Sequence, residues 1–282
     1  MTGEACERGK EAALREWAEP QSCTSNAASA EDADTSPASA PRSKRCGRTV
    51  EITLGAWRIS VKRTPPTGAE LAAMYDEAAE RWHNRLALLG YPQAYKELFD
   101  RLLATGTLRS LRDGGRVLDC GVGTAAFSLA LARKVSAPLR IEGVDLSPSM
   151  LLRACLNLDR VGIENRMHLR DVKDLPFEDD TFDAVIGAHA LDHLDDPFAG
   201  LSEMSRVLKP GAPVVVVATS RGIPDALLYL KRRHERIDRY RLELGMEEAG
   251  LTGIRAYPLL VGSPLARRTS FACVGSKDAV IL

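Results

Sequence analysis

The sequence predicts an α/β fold: a mostly parallel sheet of seven strands, with helices on both faces and an antiparallel C-terminal strand. Three observations support this prediction. From Arg116 onward, short apolar runs alternate with helical segments, which is the pattern of a parallel sheet covered by its own connections. Glycines follow the first of these runs directly. Only about six residues separate the last two runs, and so short a connection permits only antiparallel pairing.

Composition excludes several classes of protein. The 282 residues include 38 Lys+Arg and 38 Asp+Glu, so the net charge is zero and gives no sign of an obligatory nucleic-acid partner. The N-terminal segment lacks the apolar stretch of a signal peptide, and no apolar run approaches the roughly 20 residues of a membrane span. The six cysteines form no C-x-x-C pair. A reducing, cytoplasmic setting is therefore expected.

The chain is predicted to divide into three parts. Residues 1–48 are expected to be a disordered tail, because positions 18–48 have no large aliphatic side chain. Residues 49–112 are expected to form a hairpin and then a helical lid: Val50, Ile52 and Leu54 alternate with polar residues, and helical runs broken near Gly90 follow. Residues 113–282 are expected to form the main domain.

The elements of the main domain follow in a regular order. The predicted strands are RVLDC, RIEGVD, MHLRD, FDAVIGAH, PVVVVAT, IRAYPLLV and TSFACVGS. Predicted helices between them include Ala125–Lys134, Met150–Val161 and Ile237–Ala249, with Ser147 as the N-cap of the second.

The most informative segment joins the first strand of the main domain to its first helix. Asp119 ends the strand, and Gly121 and Gly123 follow, which lets the backbone turn tightly and approach a ligand beside a helix N-terminus. The spacing also fits a dinucleotide fingerprint. A carboxylate at Asp119 would repel a pyrophosphate, so a cationic or hydroxyl-bearing ligand is favoured.

An acid at the end of the next strand adds to this site. Asp145 lies about 24 residues after Gly121, where a carboxylate can accept both hydroxyls of a ribose. The alternative is that Asp145 only caps the following helix.

Several blocks in order carry a resemblance to a known family. LDCGVGTA, GVDLSPSML, DVKDLPFEDDTFDAVIGAHALDHLDDP and LKPGAPVVVV, with the C-terminal hairpin, resemble the class I S-adenosylmethionine-dependent methyltransferases. The similarity is to the broad group that methylates small molecules, quinones and lipids, and it covers about residues 67–276. It implies a Rossmann-like fold and S-adenosylmethionine as the cofactor, which makes residues 113–282 the cofactor-binding domain.

The resemblance also implies roles for individual residues. Asp145 would bind the ribose hydroxyls, and Tyr75 would close over the methionine end of the cofactor and act in catalysis. The other residues implied to contact the cofactor, from the methionine to the adenine, are Asp119, Gly121, Gly123, Leu146, Asp171, Val172 and the backbone of Ala188. Trp82 would pack beside Tyr75.

Acceptor residues are expected at the carboxyl ends of the strands, above the cofactor. His189 or Asp192 is the candidate base or orienting group, and His193 either packs locally or contacts the acceptor. These three side chains suggest a metal site, but the further ligands it needs are not evident, so no metal is predicted.

Cations and aromatic side chains complete the expected acceptor site. Arg221 with Arg267 or Arg268 would form a fork for a carboxylate or phosphate, unless these arginines are only solvated. Tyr91 and Tyr95 would line the acceptor site or belong to the core. The predicted reaction is methyl transfer to a nitrogen, sulfur or oxygen of a small, anionic or zwitterionic molecule.

Three alternatives stay open at this point. The basic segment Leu227–Arg241 would suit a lipid or RNA methyltransferase. The glycine pattern also fits a NAD(P)-dependent oxidoreductase. The third alternative is a non-catalytic cofactor-binding partner of another protein, and the sequence also leaves room for a homodimer.

Overall fold

A computed structural model describes residues 49–54, 57–62, 84, 86–219 and 237–279. The chain divides into two compact units, Met1–Thr64 and Pro65–Leu282. In the first unit, β1 (Thr49–Leu54) pairs with β2 (Trp57–Lys62) in antiparallel register. This antiparallel pair lies where the sequence places a hairpin, whereas the predicted tail, residues 1–48, lies outside the described residues.

The second unit contains a seven-stranded sheet. Its strands are β3 (Gly115–Cys120), β4 (Leu139–Asp145), β5 (Glu164–Leu169), β6 (Ala184–Ala188), β7 (Pro213–Thr219), β8 (Leu251–Pro258) and β9 (Ser270–Lys277). They lie in the order β5-β4-β3-β6-β7-β9-β8. The first five are parallel, and β9 pairs antiparallel with both β7 and β8. The predicted fold class is confirmed.

The helices begin and end where the sequence chemistry favours it. They are α1 (Tyr91–Ala104), α2 (Ala126–Ala132), α3 (Pro148–Asp159), α4 (Pro197–Arg206), α5 (Arg239–Glu248) and α6 (Pro264–Thr269). Ser147 caps α3 as predicted, since its hydroxyl accepts from the Met150 N–H. Among the described residues, none of the helices is both long and apolar enough to cross a membrane.

The connection between the last two strands differs from the prediction. A turn of about six residues was expected, but α6 lies within this connection. Ser263 accepts from the Ala266 N–H, and Pro264 occupies the first helical position, where its missing N–H costs nothing. The antiparallel pairing nevertheless holds, and β8 runs parallel to β7, so this connection leaves the sheet at the same edge as the carboxyl ends of the parallel strands.

Both faces of the central strands are buried. Leu118 and Cys120 of β3 belong to a core cluster that includes residues from β7, α4 and α5. On another part of the fold, α1 packs on α2, with the rings of Phe99 and Phe127 centred 4.7 Å apart. This packing fixes the strand ends around which the site is built.

Close packing of α5 on α4 makes Gly245 a sensitive position. A Cβ added there would lie 2.5 Å from the Phe198 ring. Gly245→Ala is therefore expected to lower the free energy of unfolding by about 1–3 kcal/mol through overpacking, despite the better helix propensity of alanine. Chemical denaturation measures this, with the exposed Glu247→Ala on the same helix as control. An unchanged or raised stability of Gly245→Ala would contradict the packing argument.

Candidate active site

A cleft of about 650 Å³ opens where the carboxyl ends of β3, β4, β5 and β6 meet. Most of the residues that the sequence predicts as cofactor contacts line this cleft. They are Gly121, Gly123, Asp145, Leu146, Asp171, Val172 and Ala188, joined by His189 and His193. The predicted residues, far apart in the chain, are thus brought together, although their roles toward a ligand stay predictions.

The turn after β3 forms the floor of the cleft. The N–H groups of Gly121 and Val122 both donate to the carbonyl of Val144, at 2.8 and 3.0 Å. Gly121 has a φ of 70°, and a Cβ added to it would lie 2.4 Å from the Cβ of Ala190. Glycine is therefore required here both by the backbone conformation and by the close approach of a neighbouring chain segment.

Gly121→Ala is expected to distort this floor and to weaken cofactor binding. The matched control is Gly106→Ala, because Gly106 has nearly the same φ, 72°, but nothing within 4 Å of an added Cβ. Both variants carry the backbone strain of about 1–2 kcal/mol, whereas only Gly121→Ala adds the clash with Ala190. Calorimetric titration with S-adenosylhomocysteine should show a loss of affinity in the first variant alone; equal affinities would contradict the argument.

Asp145 holds the turn and also faces the cleft. Its Oδ2 accepts from the Gly123 N–H at 2.9 Å, and its Oδ1 accepts from the Ser147 N–H at 3.0 Å. The N-cap of α3 is Ser147, so the alternative that Asp145 serves as this cap does not describe its role. Asp145 also lines the larger cleft, so its carboxylate lies beside any molecule that fills it.

The far wall of the cleft carries a second acid. Asp171 Oδ1 accepts from the Lys173 N–H at 3.0 Å, and the Lys173 ammonium lies 3.6 Å from Oδ2. Val172 beside it is buried. The wall therefore presents a partly neutralised carboxylate and an apolar surface to whatever fills the cleft.

Asp119 lies in a smaller adjoining cleft of about 370 Å³, which shares Gly121, Gly123, Ala188 and His189 with the larger one. The Asp119 side chain is fully buried, and the Ser128 hydroxyl donates to its Oδ2 at 2.5 Å. Burial raises the pKa of Asp119 to about 7, although the hydrogen bonds from Ser128 lower it. A buried carboxylate in this state suits a cationic ligand, which would favour its charged form.

This raised pKa predicts a pH effect on the ligand-free protein. An acid with a higher pKa in the folded than in the unfolded state binds more protons when folded, so stability falls as pH rises from about 4 to about 7. Asp119→Asn keeps an acceptor for Ser128 but cannot ionise. The melting temperature of the wild type should therefore fall by several degrees relative to this variant across that range; parallel curves would contradict the assignment.

A cluster of His189, Asp192 and Thr219 lies between the two clefts and the end of β7. His189 Nδ1 is 3.0 Å from Thr219 Oγ1 and 3.4 Å from Asp192 Oδ2, and that same carboxylate oxygen accepts from the Thr219 N–H at 2.9 Å. His189 has a φ of 60°, a conformation that non-glycine residues seldom adopt. The backbone therefore positions the imidazole through a conformation that is energetically unfavourable for a non-glycine residue.

Charge and hydrogen bonding within this cluster involve only one of the two imidazole nitrogens of His189 among the described residues. Burial alone would raise the pKa of Asp192, but hydrogen bonds and charge from His189, His193 and Thr219 hold it below its usual value. Within the part of the chain that the structure describes, the buried atoms His189 Nε2 and Asp192 Oδ1 have no hydrogen-bond partner. His189 lines both clefts, so its imidazole lies beside any molecule that fills them.

Two tyrosines of α1 complete the wall beside this cluster. The Tyr91 ring meets the His189 ring edge to face at 5.1 Å, and the Tyr91 hydroxyl is 2.9 Å from Ser270 Oγ. Tyr95 is buried, packs on Phe127, and lines the smaller cleft with Asp119. Both rings are buried, and Tyr95 also lines the smaller cleft; a role of either tyrosine toward an acceptor stays a prediction.

The remaining predicted residues have different outcomes. Tyr75, Trp82 and Arg221 lie outside the described residues, as does most of the basic segment. Arg267 and Arg268 are exposed on α6 and do not line either cleft. Among the described residues, no group of three or more His, Cys, Asp or Glu side chains is arranged to hold a metal ion.

Sequence reasoning missed several residues that line the clefts. They are Leu86, Val122, Thr124, Ala126, Phe127, Met150, Arg170, Ala190 and Leu194. Ser128, the partner of Asp119, was missed as well. The spacing of Ser128 and Asp119 could have indicated this contact. Residues nine apart across a strand-turn-helix unit face each other when the helix folds back on the strand.

Fold and cleft together resemble those of one class of protein. The parallel strands, the antiparallel β9 between β7 and β8, and a cleft at the point where the chain crosses from β5 to β6 match the class I S-adenosylmethionine-dependent methyltransferases. Residues 118–216 match the family model described as a methyltransferase domain. The resemblance drawn from the sequence is confirmed, and S-adenosylmethionine is the cofactor of this class.

Individual relatives agree with this class. The chain is 33% identical over 172 residues to the ubiquinone/menaquinone biosynthesis C-methyltransferase UbiE of Geobacter sulfurreducens, covering 58% of this chain and 63% of that protein. It is 35% identical over 165 residues to the demethylmenaquinone methyltransferase of Streptomyces avermitilis, covering 56% and 63%. The chain thus spans just under two thirds of the length of these curated relatives.

A solved structure supports the fold alone. The magnesium protoporphyrin IX methyltransferase ChlM from Synechocystis, with bound SAH, superposes with a TM-score of 0.60 at 17% identity, over 75% of this chain and all of that one. The likeness to this class makes the NAD(P)-dependent oxidoreductase the less favoured alternative. It leaves the acceptor to be inferred from the site.

Proposed function

We propose that this chain transfers the methyl group of S-adenosylmethionine to a small molecule that carries a ring hydroxyl, of the quinol class, and that His189 is the base. The observation that carries this proposal is the position of His189, which lines both clefts and whose buried Nε2 has no partner among the described residues. An acceptor that was already a free nucleophile would not need a base at this place.

The cleft residues fit the cofactor. The floor at Gly121 lets the backbone approach a ligand closely, and Asp145 and Asp171 present carboxylates to the larger cleft. We assign the ribose hydroxyls to Asp145 and the adenine side to Leu146, Asp171 and Val172. Asp119 in the smaller cleft, with a pKa of about 7, suits the cationic methionine end beside the backbone of Ala188.

The residues of this chain supply positioning and one proton transfer. The cofactor, when bound, supplies an electrophilic methyl group. A phenolic hydroxyl has a pKa of about 10, so little of it is ionised near neutral pH, and removing its proton raises the nucleophilicity of both the oxygen and the ring carbons. His189 Nε2 would take this proton, while Asp192 and Thr219 hold the imidazole by Nδ1. Where the methyl group is bonded to a ring carbon, that carbon then loses its hydrogen as a proton and the oxygen regains one, so that one proton is released overall.

The relatives favour carbon as the methylated atom. The two curated relatives are named as quinone or menaquinone methyltransferases, and one of them as a C-methyltransferase. The expectation of a nitrogen, sulfur or oxygen acceptor, and of an anionic or zwitterionic one, stays a prediction. Arg267 and Arg268 lie outside both clefts, which gives less support to an anion fork than the sequence suggested.

A product analysis tests the proposal. The purified chain is incubated with labelled S-adenosylmethionine and with matched panels of hydroquinones, phenols, amines, thiols and carboxylates. We expect methylated product from hydroquinones, with the new methyl group on ring carbon by NMR. Turnover confined to amines or thiols would overturn the proposed acceptor, and absence of methyl transfer to any member would favour the non-catalytic alternative.

The cellular location and the oligomeric state are inferred from other features than the site. We infer a cytoplasmic location because Cys120, Cys155 and Cys273 form no disulfide in the part of the chain that the structure describes, and two of them are buried. The homodimer stays a prediction.

A further inference from the structure

Ser128 of α2 is a fully buried serine whose hydroxyl contacts the carboxylate of Asp119. The hydroxyl donates to Asp119 Oδ2 at 2.5 Å, and the backbone N–H of Ser128 supplies a further hydrogen bond to the same carboxylate. Asp119 is itself buried and lines the smaller cleft. Ser128 lines neither cleft, so any effect that it has on a bound molecule passes through Asp119.

The hydrogen bonds from Ser128 favour the charged form of Asp119. Burial and the charge of Asp145 favour the neutral form, and the balance of these effects raises the pKa of Asp119 to about 7. A hydrogen bond to a charged carboxylate is stronger than one between neutral groups. Without the Ser128 hydroxyl, the pKa of Asp119 should therefore lie higher still, and less of this side chain would be charged near neutral pH.

Four other titratable groups of the described residues lie around Asp119. Tyr95 of α1 and His189 after β6 line the same cleft, Cys120 follows Asp119 in β3, and Asp145 ends β4. Burial raises the pKa of the Tyr95 hydroxyl and of the Cys120 thiol well above their usual values, so both groups stay neutral near pH 7. Histidine can change charge in this pH range, so a variant has to be compared with the wild type at the same pH.

We propose that Ser128 is a positioning residue for the cofactor, which holds the Asp119 carboxylate charged and in place to bind the ammonium group at the methionine end of S-adenosylmethionine. This inference rests on the assignment of Asp119 to that end of the cofactor, which is part of the proposed function. A protonated Asp119 must release its proton to solvent when the cation binds. Cofactor affinity should therefore rise with pH until Asp119 is ionised in the free protein.

Calorimetric titration with S-adenosylhomocysteine between about pH 6 and about pH 8.5 tests the proposal. If Ser128→Ala raises the pKa of Asp119 by about one unit, its affinity should be about tenfold below that of the wild type near pH 6 and about fivefold below near pH 7. Near pH 8.5 the two affinities should agree within about twofold. The ligand ammonium and the His189 imidazole are common to both proteins, so their titration cancels in the ratio of affinities.

A second measurement counts the protons that binding releases. Titrations near pH 7 in two buffers of different ionisation enthalpy give this number. The wild type should release about half a proton from Asp119, and Ser128→Ala close to one, because more of its Asp119 is protonated beforehand. A serine that only packs α2 against the sheet would change the affinity without changing the number of protons.

Matched controls use another serine and another ligand. Ser205→Ala removes the hydroxyl of a buried serine on α4 that lines neither cleft, and it should bind S-adenosylhomocysteine as the wild type does at every pH. 5′-Methylthioadenosine keeps the adenosine and the sulfur but lacks the ammonium, so wild type and Ser128→Ala should bind it equally. If Ser128→Ala melts well below the wild type, Ser128→Cys replaces it, because a thiol is close in size and a weaker donor, and the same trend is expected with a smaller ratio.

The outcomes distinguish this proposal from the proposed function. An affinity ratio that is the same at every pH would overturn the role of Ser128, even where the wild-type affinity rises with pH as expected for Asp119. A wild-type affinity that does not rise between about pH 6 and about pH 8, or that rises equally for 5′-methylthioadenosine, would overturn both this proposal and the assignment of Asp119. If the wild type does not bind S-adenosylhomocysteine at any pH, the proposed function itself is wrong, and the role of Ser128 with it.

Discussion

Replacing Asp145 by alanine is expected to weaken the binding of S-adenosylhomocysteine by roughly 100-fold, on the order of 3 kcal/mol. The loss has two sources. A carboxylate that accepts hydrogen bonds from a ligand is removed from the wall of the cleft, and the Gly123 N–H loses its partner at 2.9 Å, which loosens the floor of the same cleft. Isothermal titration calorimetry measures the affinity.

A control variant distinguishes the loss of cofactor affinity from a general loss of stability at the start of a helix. Asp196 also accepts two backbone N–H groups, from Phe198 and Ala199, but it lies at the start of α4 and does not line the cleft. Asp196→Ala should therefore lower the melting temperature and leave cofactor affinity unchanged. If Asp145→Ala binds S-adenosylhomocysteine as tightly as the wild type, Asp145 is not a cofactor ligand.

Most of the fold could be predicted because buried parallel strands leave a local signal. Segments such as PVVVVAT are apolar on both faces and short, and turn residues or helical runs bound them, so period and length identify them without knowledge of the rest. The helix α6 was missed for the opposite reason. Its six residues are too few to show a helical period, and only the cap Ser263 and Pro264 mark its start.

Some site residues can likewise be predicted from local sequence, whereas contacts between residues far apart in the chain cannot. Asp119, Gly121 and Asp145 lie at strand ends, and the rule that carboxyl ends of parallel strands meet at one edge is enough to bring them together. The contacts of His189 with Thr219 and of Tyr91 with Ser270 join residues 30 and 179 positions apart. No local pattern records such pairs, since they depend on which strands become neighbours in the sheet.

The structure also changes the predicted position of two arginines, Arg267 and Arg268. In the sequence, Arg267 and Arg268 were expected in a tight turn at the active-site edge, where they would point at an acceptor. In the structure they lie on α6 and are exposed. The helix places both guanidinium groups on the exposed surface and outside the two clefts, which gives an acceptor fork less support.

His189→Asn is expected to lower turnover by roughly 100- to 10,000-fold while leaving the affinity for S-adenosylhomocysteine within a few-fold of the wild type. Asparagine is the suitable replacement because it tolerates the left-handed backbone conformation, φ 60°, that His189 adopts. It keeps a polar side chain but cannot accept a proton near neutral pH. Steady-state rates and calorimetry on the same preparation separate turnover from binding.

The pH dependence distinguishes a base from a merely structural residue. If His189 removes the proton of a phenolic acceptor, raising the pH toward the acceptor's own pKa of about 10 should restore much of the turnover of His189→Asn, because the ionised acceptor no longer needs a base. Thr219→Val removes one of the two side chains beside Nδ1 and leaves Asp192 in place, so it should lower turnover less and retain the pH dependence of the wild type. A variant whose loss is the same at every pH would exclude His189 as the base, because misplacement of the cofactor or acceptor is not repaired by ionising the acceptor.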